Sequence, residues 1–547
     1  MSSVMADLIL DVSRMTVDEH GVRGFIWPLG RHEVVAVRDA IPPLVVEAAR
    51  GEHSSDEEAE LLSIVFGGFV NEVLGLYQAH ALNRRLRARG YRAIAPQGTR
   101  YLAAVASDAP PWPSPFLDSL EHGVPRDSWG GRAMLSRMRT ELRWNGPSLA
   151  IGRRYDWERD IGAIQRLPLI HRRARVVPEV VRFHDRGQWF GPLDGQPAQR
   201  SRQATRGSVV VEKALEAAHV GFAAGDEELP GYLDGYLRDW LVQAMGLSRV
   251  RLTAILDQPA GLPRHLWTGN GGSVWNRIIR HATRRLGGSV TGHDHGNGTG
   301  HLVSILPTLT EFESCDTFVT FTPTQAEALL KGLRPDLLIP PKAPKIIAAP
   351  FLRDGSSSAK GVHPRRPRPE INGAMPAIRT IMYPSSFYNG DRPNYGVLIP
   401  DIVALDWEAR LFSHLNHWDY RVLHKPHPAS AGLPPAGFAQ AFGGTTLLGR
   451  FESVMHLADA FLFVSPQSTT FVAMLASGKP MVFVDPGLFE WVPEAYEMLR
   501  RRCRIVRGWF DDANRLQVDW DELRGAIQES GDLMDTTFFD SYYGPMD

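Results

Sequence analysis

The sequence predicts an α/β protein with two domains, each built around a parallel sheet. The chain has 547 residues, which is too many for one ordinary hydrophobic core. Short apolar strands alternate with helices in residues 208–331 and again in residues 379–484, a rhythm typical of βαβ units. The intervening segment, 353–377, is rich in Pro, Ser, Gly and Arg and lacks apolar periodicity, so it is predicted to be a linker.

The composition excludes several classes of protein. The chain is 43% apolar and 22% charged, which is ordinary for a globular protein. Its formal net charge of -1 argues against a dedicated nucleic-acid binder, and no nucleic-acid partner is expected. The two cysteines, Cys315 and Cys503, lie far apart in no metal-like spacing, so they indicate neither a disulfide framework nor a zinc site.

The sequence carries no signal for export or membrane insertion. Residues 1–21 contain early acidic groups and no apolar core of signal-peptide length. No uncharged apolar stretch reaches the roughly 18 residues that a membrane span needs. We therefore expect a cytoplasmic protein, and a peripheral contact with the inner membrane stays open.

The first domain is predicted to span residues 1–352, with a less regular first part. The apolar spacing predicts a helix over residues 55–89. Arginines are frequent in residues 160–206, which indicates a solvated face or, alternatively, a surface for an anionic ligand. The later part is predicted to contain helices at 231–246, 274–285 and 324–331 and strands at 266–268, 287–291 and 316–321.

The second domain is predicted to span residues 378–520 and to bind a nucleotide, with residues 521–547 as a C-terminal tail. Its predicted strands are 379–383, 420–424, 445–448, 460–464 and 480–484, and its predicted helices are 398–415, 451–457 and 468–476. In open parallel sheets, ligands bind beyond the carboxyl ends of the strands. A cleft between two such domains would gather the ends of both sheets.

The most informative segment is AFLFVSPQSTTFVAMLASGKPMVFVD, residues 460–485. A strand leads through Gln467 into a helix that opens on Ser468, Thr469 and Thr470. Unpaired N–H groups and a partial positive charge at a helix N-terminus attract phosphate, and hydroxyl side chains add hydrogen bonds. The alternative is that Ser468 or Thr469 simply caps the helix.

A second motif is Lys-Pro-His-Pro at residues 425–428, directly after a predicted strand. Its prolines stiffen the loop and remove backbone donors. Lys425 offers a point charge for phosphate, and His427 offers a hydrogen bond or an acid near neutral pH. Pro428 closes the motif, which we interpret as donor-binding rather than as an incidental polar loop.

A third motif is GHDHGNGTGH, residues 292–301, in the first domain. His293, Asp294 and His295 are candidate general bases among glycines that let the backbone approach a ligand closely. A zinc site is the competing interpretation of His-x-His, but no cysteine or carboxylate cluster completes a ligand set. A mobile polar loop is the remaining alternative.

Two further positions are weaker candidates for contact with a donor. Ser385 and Ser386 follow the first strand of the second domain and are predicted to face phosphate, although an ordinary turn explains them equally well. Glu452 begins a helix and is predicted to hydrogen-bond a ribose, or else to answer the helix dipole.

Together these segments resemble GT-B glycosyltransferases, and more closely the bacterial surface-polysaccharide group. Residues 425–428 look like the HP motif of bacterial sialyltransferases and capsule Kdo transferases, and Ser468-Thr469-Thr470 looks like their downstream Ser/Thr motif. The order is also similar to that of CDP-glycerol glycerophosphotransferases, in which a His-Gly element acts as base and His295-Gly296 would match it. The resemblance covers about residues 265–490.

The resemblance implies a GT-B-like fold in which two Rossmann-type domains face each other across a cleft. It implies a transferase that moves a sugar, such as Kdo or another nonulosonic acid, from a CMP-linked donor to a hydroxyl of a surface glycan or glycoconjugate. The sequence has no clear Asp/Glu-Asp/Glu-Gly motif of the sialyltransferase kind, so the base falls to His295 or Asp294.

Three other functions stay open at this point. They are a CDP-glycerol-type polyol-phosphate transferase, a nucleotide-sugar epimerase that would need no acceptor, and a non-catalytic glycan- or nucleotide-binding protein. Because a helix N-terminus and cationic side chains can stabilise the leaving nucleotide, neither a metal nor a cofactor is expected.

Overall fold

The computed structural model describes most of the chain with gaps. The described residues are 6–9, 26–52, 54–94, 114–123, 161–164, 181–183, 189–190, 193, 207–259, 261–294, 299–339, 342–349, 377–385, 387–388, 399–427, 430, 437–530, 533 and 535–544. Residues 353–376 of the predicted linker and most of the arginine-rich segment 160–206 lie outside them, as do His295, Ser386 and Pro428.

The first domain begins with packed helices. They are α1 (Arg31–Arg50), α2 (Asp56–Ala88), α3 (Pro115–His122), α4 (Val209–Ala224) and α5 (Gly231–Asp257). Ser55 caps α2 and forms a reciprocal capping box with Glu58, which satisfies two donors at the helix start. By length and composition α2 could cross a bilayer, yet 72% of its most apolar window is buried inside the protein. This helix therefore forms part of the core.

The sheet of the first domain is parallel. Its described strands are β3 (Ile161–Ile164), β4 (Val181–Phe183), β5 (His265–Thr268), β6 (Ser289–His293), β8 (Thr317–Thr320) and β9 (Lys345–Ala348). The order across the sheet is β4-β3-β5-β6-β8-β9. Helices α6 (Val274–Arg285) and α7 (Pro323–Gly332) connect strands of this sheet. A separate parallel pair joins β1 (Ala6–Ile9) to β2 (Tyr91–Ile94).

The second domain has a seven-stranded sheet. Its strands are β10 (Thr380–Pro384), β11 (Arg421–Lys425), β12 (Gly444–Thr446), β13 (Ala460–Phe463), β14 (Met481–Asp485), β16 (Arg504–Phe510) and β17 (Leu516–Val518). Its helices are α8 (Asp401–His417), α9 (Phe438–Ala441), α10 (Phe451–Val454), α11 (Thr469–Ala476), α12 (Pro493–Arg500) and α13 (Trp520–Glu529).

The strand order of this second sheet is β12-β11-β10-β13-β14-β16-β17. All pairs are parallel except β16 with β17. Counted along the chain, the parallel strands run 3-2-1-4-5-6, which is the Rossmann order. The direction of winding reverses between β10 and β13, so the crevice at their carboxyl ends is the expected ligand site of this sheet.

The carboxyl ends of the two sheets are joined directly. Strand β7 (Leu302–Val303), which follows β6, pairs antiparallel with β15 (Glu490–Trp491), which follows β14. Helix α14 (Thr537–Tyr543) contacts α7 of the first domain and both α11 and α12 of the second. One apolar cluster accordingly contains residues of both sheets and of α14. These observations confirm the predicted fold class of two Rossmann-type α/β domains facing each other, the GT-B-like arrangement.

Most predicted element boundaries lie within a few residues of the structure, but the C-terminal tail needs correction. Residues 521–547 were predicted as a tail, whereas the structure places α13 and α14 there. Leu523 and Ile527 of α13 are buried in the core of the second domain, and Phe538 of α14 is buried between the domains. Short aromatic helices lack the long apolar periodicity that identifies a helix in a sequence.

Candidate functional site

The predicted donor-binding residues gather at the carboxyl edge of the second sheet. Ser385 follows β10, Lys425 ends β11, Glu452 follows β12, and Ser468 follows β13. These four strands are neighbours in the order β12-β11-β10-β13. The structure therefore brings together, at one edge and around the switch point, residues that are up to about eighty positions apart in the sequence.

Lys425 and His427 place two basic side chains at this edge, of which Lys425 carries the positive charge. The Lys425 side chain is 6% exposed and donates through Nζ to the carbonyl of Pro426 at 3.0 Å. Burial lowers the pKa of Lys425, while the nearby Glu452 carboxylate acts in the opposite direction. Burial and then the Lys425 charge lower the pKa of His427, whose ring lies 5.4 Å from that of Phe387. This pair favours an anion over a further cation.

The start of α11 combines capping with free backbone donors. Ser468 Oγ accepts a hydrogen bond from the Phe471 amide at 3.0 Å, so the capping interpretation is confirmed. Its own hydroxyl proton can still be donated outward. Thr469 is exposed and Gln467 and Thr470 are half-exposed at the same end. The first amides of a helix have no intrahelical acceptor, which leaves them available to a phosphate.

A buried polar cluster lies beneath the end of β10. Ser385 Oγ and His424 Nε2 are 2.5 Å apart, and His424 Nε2 lies 3.5 Å from Glu408 Oε2. Burial raises the pKa of Glu408 to about 8, although the nearby hydroxyls of Tyr388 and Ser385 act in the opposite direction. Burial likewise lowers the pKa of His424 to about 4, aided by Lys425. At neutral pH the cluster is therefore mainly uncharged.

Ser430 ties the two loops of this edge together. Its side chain is 3% exposed and accepts a hydrogen bond from the Tyr388 amide at 2.8 Å. Its own amide donates to the carbonyl of His427 at 2.9 Å. The loop after β10 and the His-Pro loop after β11 are thus one hydrogen-bonded unit, and Ser430 positions His427.

The sequence analysis did not identify four residues of this unit as site residues: Tyr388, Glu408, His424 and Ser430. Glu408 lies in the middle of a helix and His424 in the middle of an apolar strand, where each resembles an ordinary residue of its element. The one feature that could have identified them is a carboxylate and a histidine on the buried faces of neighbouring elements. That feature cannot be recognised until it is known which face of α8 packs on the sheet.

Two of the candidate bases of the first domain, His293 and Asp294, are too buried to meet an acceptor hydroxyl directly. His293 is 0% exposed, and its Nδ1 lies 3.1 Å from the Asp294 carbonyl. Asp294 is 1% exposed and accepts hydrogen bonds from Thr299 Oγ1 and from Gln325 Nε2. Both side chains therefore support the loop after β6. His295, the third candidate, lies outside the described residues, as do Ser386 and Pro428 of the donor set.

The glycine-rich turn after β5 is filled by the protein itself. The Gly271 amide donates to Glu311 Oε2 at 2.9 Å, and Arg277 Nε donates to the Gly271 carbonyl at 2.8 Å. A side chain at Gly271 would lie 2.0 Å from the Thr310 carbonyl oxygen, so this position tolerates only glycine. Since a carboxylate of the chain already accepts from the Gly271 amide, that amide is not available to a phosphate.

Two features between the domains lie apart from this edge. An open cleft is bordered by none of the predicted site residues, and its lining is mainly apolar: Trp27, Leu29, Val34, Pro400, Val403 and Phe510, with Arg31, Gln78 and Asn514. Arg31 crosses the domain boundary nearby and donates to the carbonyls of Gly487 and Leu488 after β14. Within the described residues, no group of three His, Cys, Asp or Glu side chains is arranged to hold a metal ion.

Comparison with known proteins gives little beyond the fold. No protein-family model matches the chain, and no curated protein matches it. Among solved structures it is similar to the UDP-GlcNAc 2-epimerase of Methanocaldococcus jannaschii in complex with UDP-GlcNAc and UDP, at 11% identity and a TM-score of 0.34, covering 68% of this chain and 92% of that chain. That neighbour is an enzyme acting on a nucleotide sugar. A likeness at this level carries no argument about the chemistry of the present chain.

Proposed function

We propose that the protein is a glycosyltransferase that uses a cytidine-nucleotide sugar, with Kdo or another nonulosonic acid as the candidate sugar. One observation carries this proposal. Lys425, His427, Ser385 and Ser468 converge from neighbouring strands on the switch point of a sheet with Rossmann order. Such a crevice is where nucleotides bind in this architecture, and its cationic and hydroxyl groups suit a phosphate.

The donor phosphate would lie between the His-Pro loop and the start of α11. Lys425 would supply a point charge there, His427 a hydrogen bond, and Ser468 and Thr469 their hydroxyls together with the first amides of the helix. Glu452, beside Lys425, would accept hydrogen bonds from the ribose. These groups supply the positive charge that the leaving nucleotide requires, so the proposal includes no metal ion and no cofactor.

Transfer requires an acceptor hydroxyl from a surface glycan or glycoconjugate. In the proposed step the acceptor oxygen forms a bond to the anomeric carbon while the bond from that carbon to the phosphate oxygen breaks. The electron pair of the broken bond stays with the nucleotide phosphate, which Lys425 and the helix start stabilise. The acceptor proton passes to a base, for which His295 is the candidate because Asp294 and His293 are engaged in their loop.

A nucleotide panel tests the donor class first. CMP, CDP, UDP, UMP, GDP and ADP are compared by thermal shift, with and without magnesium. A ligand that binds only the folded state raises the melting temperature. Selective stabilisation by CMP or CDP without magnesium supports the proposal. Selective stabilisation by UDP or GDP keeps a transferase and discards the cytidine donor, and no response to any nucleotide contradicts the proposal.

Product analysis separates the proposed transfer from its alternatives. Incubation of the enzyme with CMP-Kdo should release CMP faster when a glycan acceptor is present. Conversion of a nucleotide sugar without any acceptor would indicate an epimerase instead, and transfer of a glycerol phosphate from CDP-glycerol would indicate a polyol-phosphate transferase.

A further inference from the structure

Ser385 differs from the other hydroxyl residues at the carboxyl edge of the second sheet because buried ionisable groups lie next to its side chain. It is 8% exposed, and its amide donates to the Lys425 carbonyl at 3.0 Å. Its Oγ lies 2.5 Å from His424 Nε2, and the same Nε2 lies 3.5 Å from Glu408 Oε2. His424 is 1% exposed and Glu408 is fully buried. An ordinary surface turn would not require two buried ionisable groups beneath one serine.

The burial of His424 indicates which of its nitrogens carries the proton. Nδ1 is buried and has no hydrogen-bond partner among the described residues. An orphaned buried N–H donor is rarer in proteins than an acceptor left unpaired, which favours a proton on Nε2. In this tautomer His424 donates to Ser385 Oγ, and the proton of the Ser385 hydroxyl must go to another acceptor.

Two acceptors compete for that proton. One is the buried Glu408 carboxyl, whose Oε2 lies 3.5 Å from the same His424 Nε2 that contacts Ser385 Oγ and whose two oxygens have no hydrogen-bond partner among the described residues. The other would be a phosphate oxygen bound at the switch point between β10 and β13. A protonated carboxyl is a weak acceptor, whereas a buried carboxylate is a strong one. The charge state of Glu408 therefore decides whether the Ser385 hydroxyl is available to a ligand.

We propose that Glu408 and His424 are positioning residues that set the Ser385 hydroxyl as a hydrogen-bond donor to a ligand phosphate, and that ionisation of Glu408 withdraws this hydrogen bond. The inference rests on the proposed function, since it needs a phosphate at the carboxyl edge of the second sheet. It adds a pH-dependent control of nucleotide affinity that lies beneath the site.

The titratable groups around Glu408 come from β10, the loop after it, β11 and α8. Tyr383 and Tyr388, from β10 and its loop, have pKa values raised well above 10 by burial, and the pKa of His424 on β11 is lowered to about 4. The carboxyl of Asp401, on the same helix α8, contributes to the raised pKa of Tyr388. Of Glu408, His424, Tyr383 and Tyr388, Glu408 is therefore the one that changes charge between pH 7 and pH 9.

The test measures the dissociation constant of CMP by isothermal titration calorimetry at pH 7.0 and 9.0. In the wild type, affinity should fall by roughly tenfold or more on top of any change that Lys425 causes, because a hydrogen bond to a charged group is lost. In Glu408→Gln that additional fall should be absent, since the amide cannot ionise. Asp406→Asn is the matched control: Asp406 lies on the same helix but is paired with Arg410 and Arg515, so the fall should persist.

Ser385→Ala gives a second test that does not depend on the folding of the Glu408 variant. It should bind CMP about tenfold more weakly at pH 7.0 and should lose the additional alkaline fall. An equal alkaline fall in wild type, Glu408→Gln and Ser385→Ala would overturn the inference and leave the proposed function intact. Absence of CMP binding by the wild type at both pH values would overturn both.

Discussion

At the scale of single residues, the pKa of Glu408 couples folding to pH. Its value is raised to about 8 in the folded protein, above the ordinary 4.5, so the folded state holds the proton more tightly than the unfolded chain. The stability that this group contributes is complete below about pH 4.5 and is lost as the pH rises through 8.

We therefore predict that Glu408→Gln flattens the pH dependence of stability. Between pH 5 and 8 the free energy of unfolding of the wild type should fall by up to about 1.4 kcal/mol per pH unit relative to the variant. Urea denaturation at several pH values measures this difference. Parallel stability curves for the two proteins would show that Glu408 is already ionised when folded at neutral pH.

Lys425 is the residue on which the proposed phosphate contact depends most directly. Replacing it with Met keeps the buried stem and removes the charge, and nucleotide affinity should fall about tenfold or more because a charge-assisted hydrogen bond is lost. Arg421→Met is the matched control, because Arg421 is an exposed cation at the opposite end of the same strand. If both variants bind CMP equally well, the phosphate does not lie at the carboxyl end of β11.

At the scale of elements, α11 lets capping be separated from ligand binding. Ser468 Oγ caps the helix, and Asp caps helices about as well as Ser. Ser468→Asp should therefore keep the melting temperature within a few degrees, while its carboxylate repels the donor phosphate and abolishes CMP binding. Ser468→Ala should instead lose about 1 kcal/mol of stability. Normal CMP binding by Ser468→Asp would remove the phosphate from the start of α11.

The same element scale shows what the sequence could and could not predict. Strands β10, β11, β13 and β14 are short apolar runs bounded by turn residues, so their positions follow from local pattern, as did the placement of Lys425 and Ser468 at strand ends. The order 3-2-1-4-5-6 does not follow from local pattern, because it depends on which strands pair across long separations.

The buried polar residues at the carboxyl edge of the second sheet could not be predicted from the sequence for the same reason, because they meet only through long-range packing. Glu408 comes from a helix and Ser430 from a loop, and they reach Ser385 and Tyr388 only when α8 packs on the sheet. Helix α14 was missed for a related reason. Its sequence TFFDSYY is too short to show periodicity, and its aromatic residues are buried only because the two domains pack around them.

At the scale of the whole molecule, α14 makes the two domains one packing unit. His301, which follows the loop of Asp294, is 0% exposed and lies among aromatic rings of the second domain. Its ring stacks on Trp491 at 5.4 Å and meets Phe538 edge-on at 5.2 Å, and its Nδ1 lies 3.3 Å from the Tyr543 hydroxyl. Burial lowers the pKa of His301 to about 3, so it stays neutral and compatible with this apolar contact at physiological pH.

This contact connects the loop after β6 to helix α11. Helix α14 contacts α11, which carries Ser468 and Thr469, while Thr322 Oγ1 of the first domain donates to the Ser541 carbonyl of α14 at 2.5 Å. Any movement of one domain relative to the other must therefore change the contacts of α14 and of the β7–β15 pair. When the α14 contact is lost, the two domains should unfold independently of each other, while each domain stays folded under native conditions.

Phe538→Ala tests that coupling. Phe538 is 0% exposed and packs on His301, Trp491 and Tyr542, so its truncation should cost about 3–5 kcal/mol. We expect one calorimetric transition for the wild type and two for the variant, since the lost contact lies between domains. Phe412→Ala is the matched control, because Phe412 is equally buried but lies within the core of the second domain. It should lower the melting temperature of that domain without detaching α14, and a split of equal size in both variants would contradict a coupling role for α14.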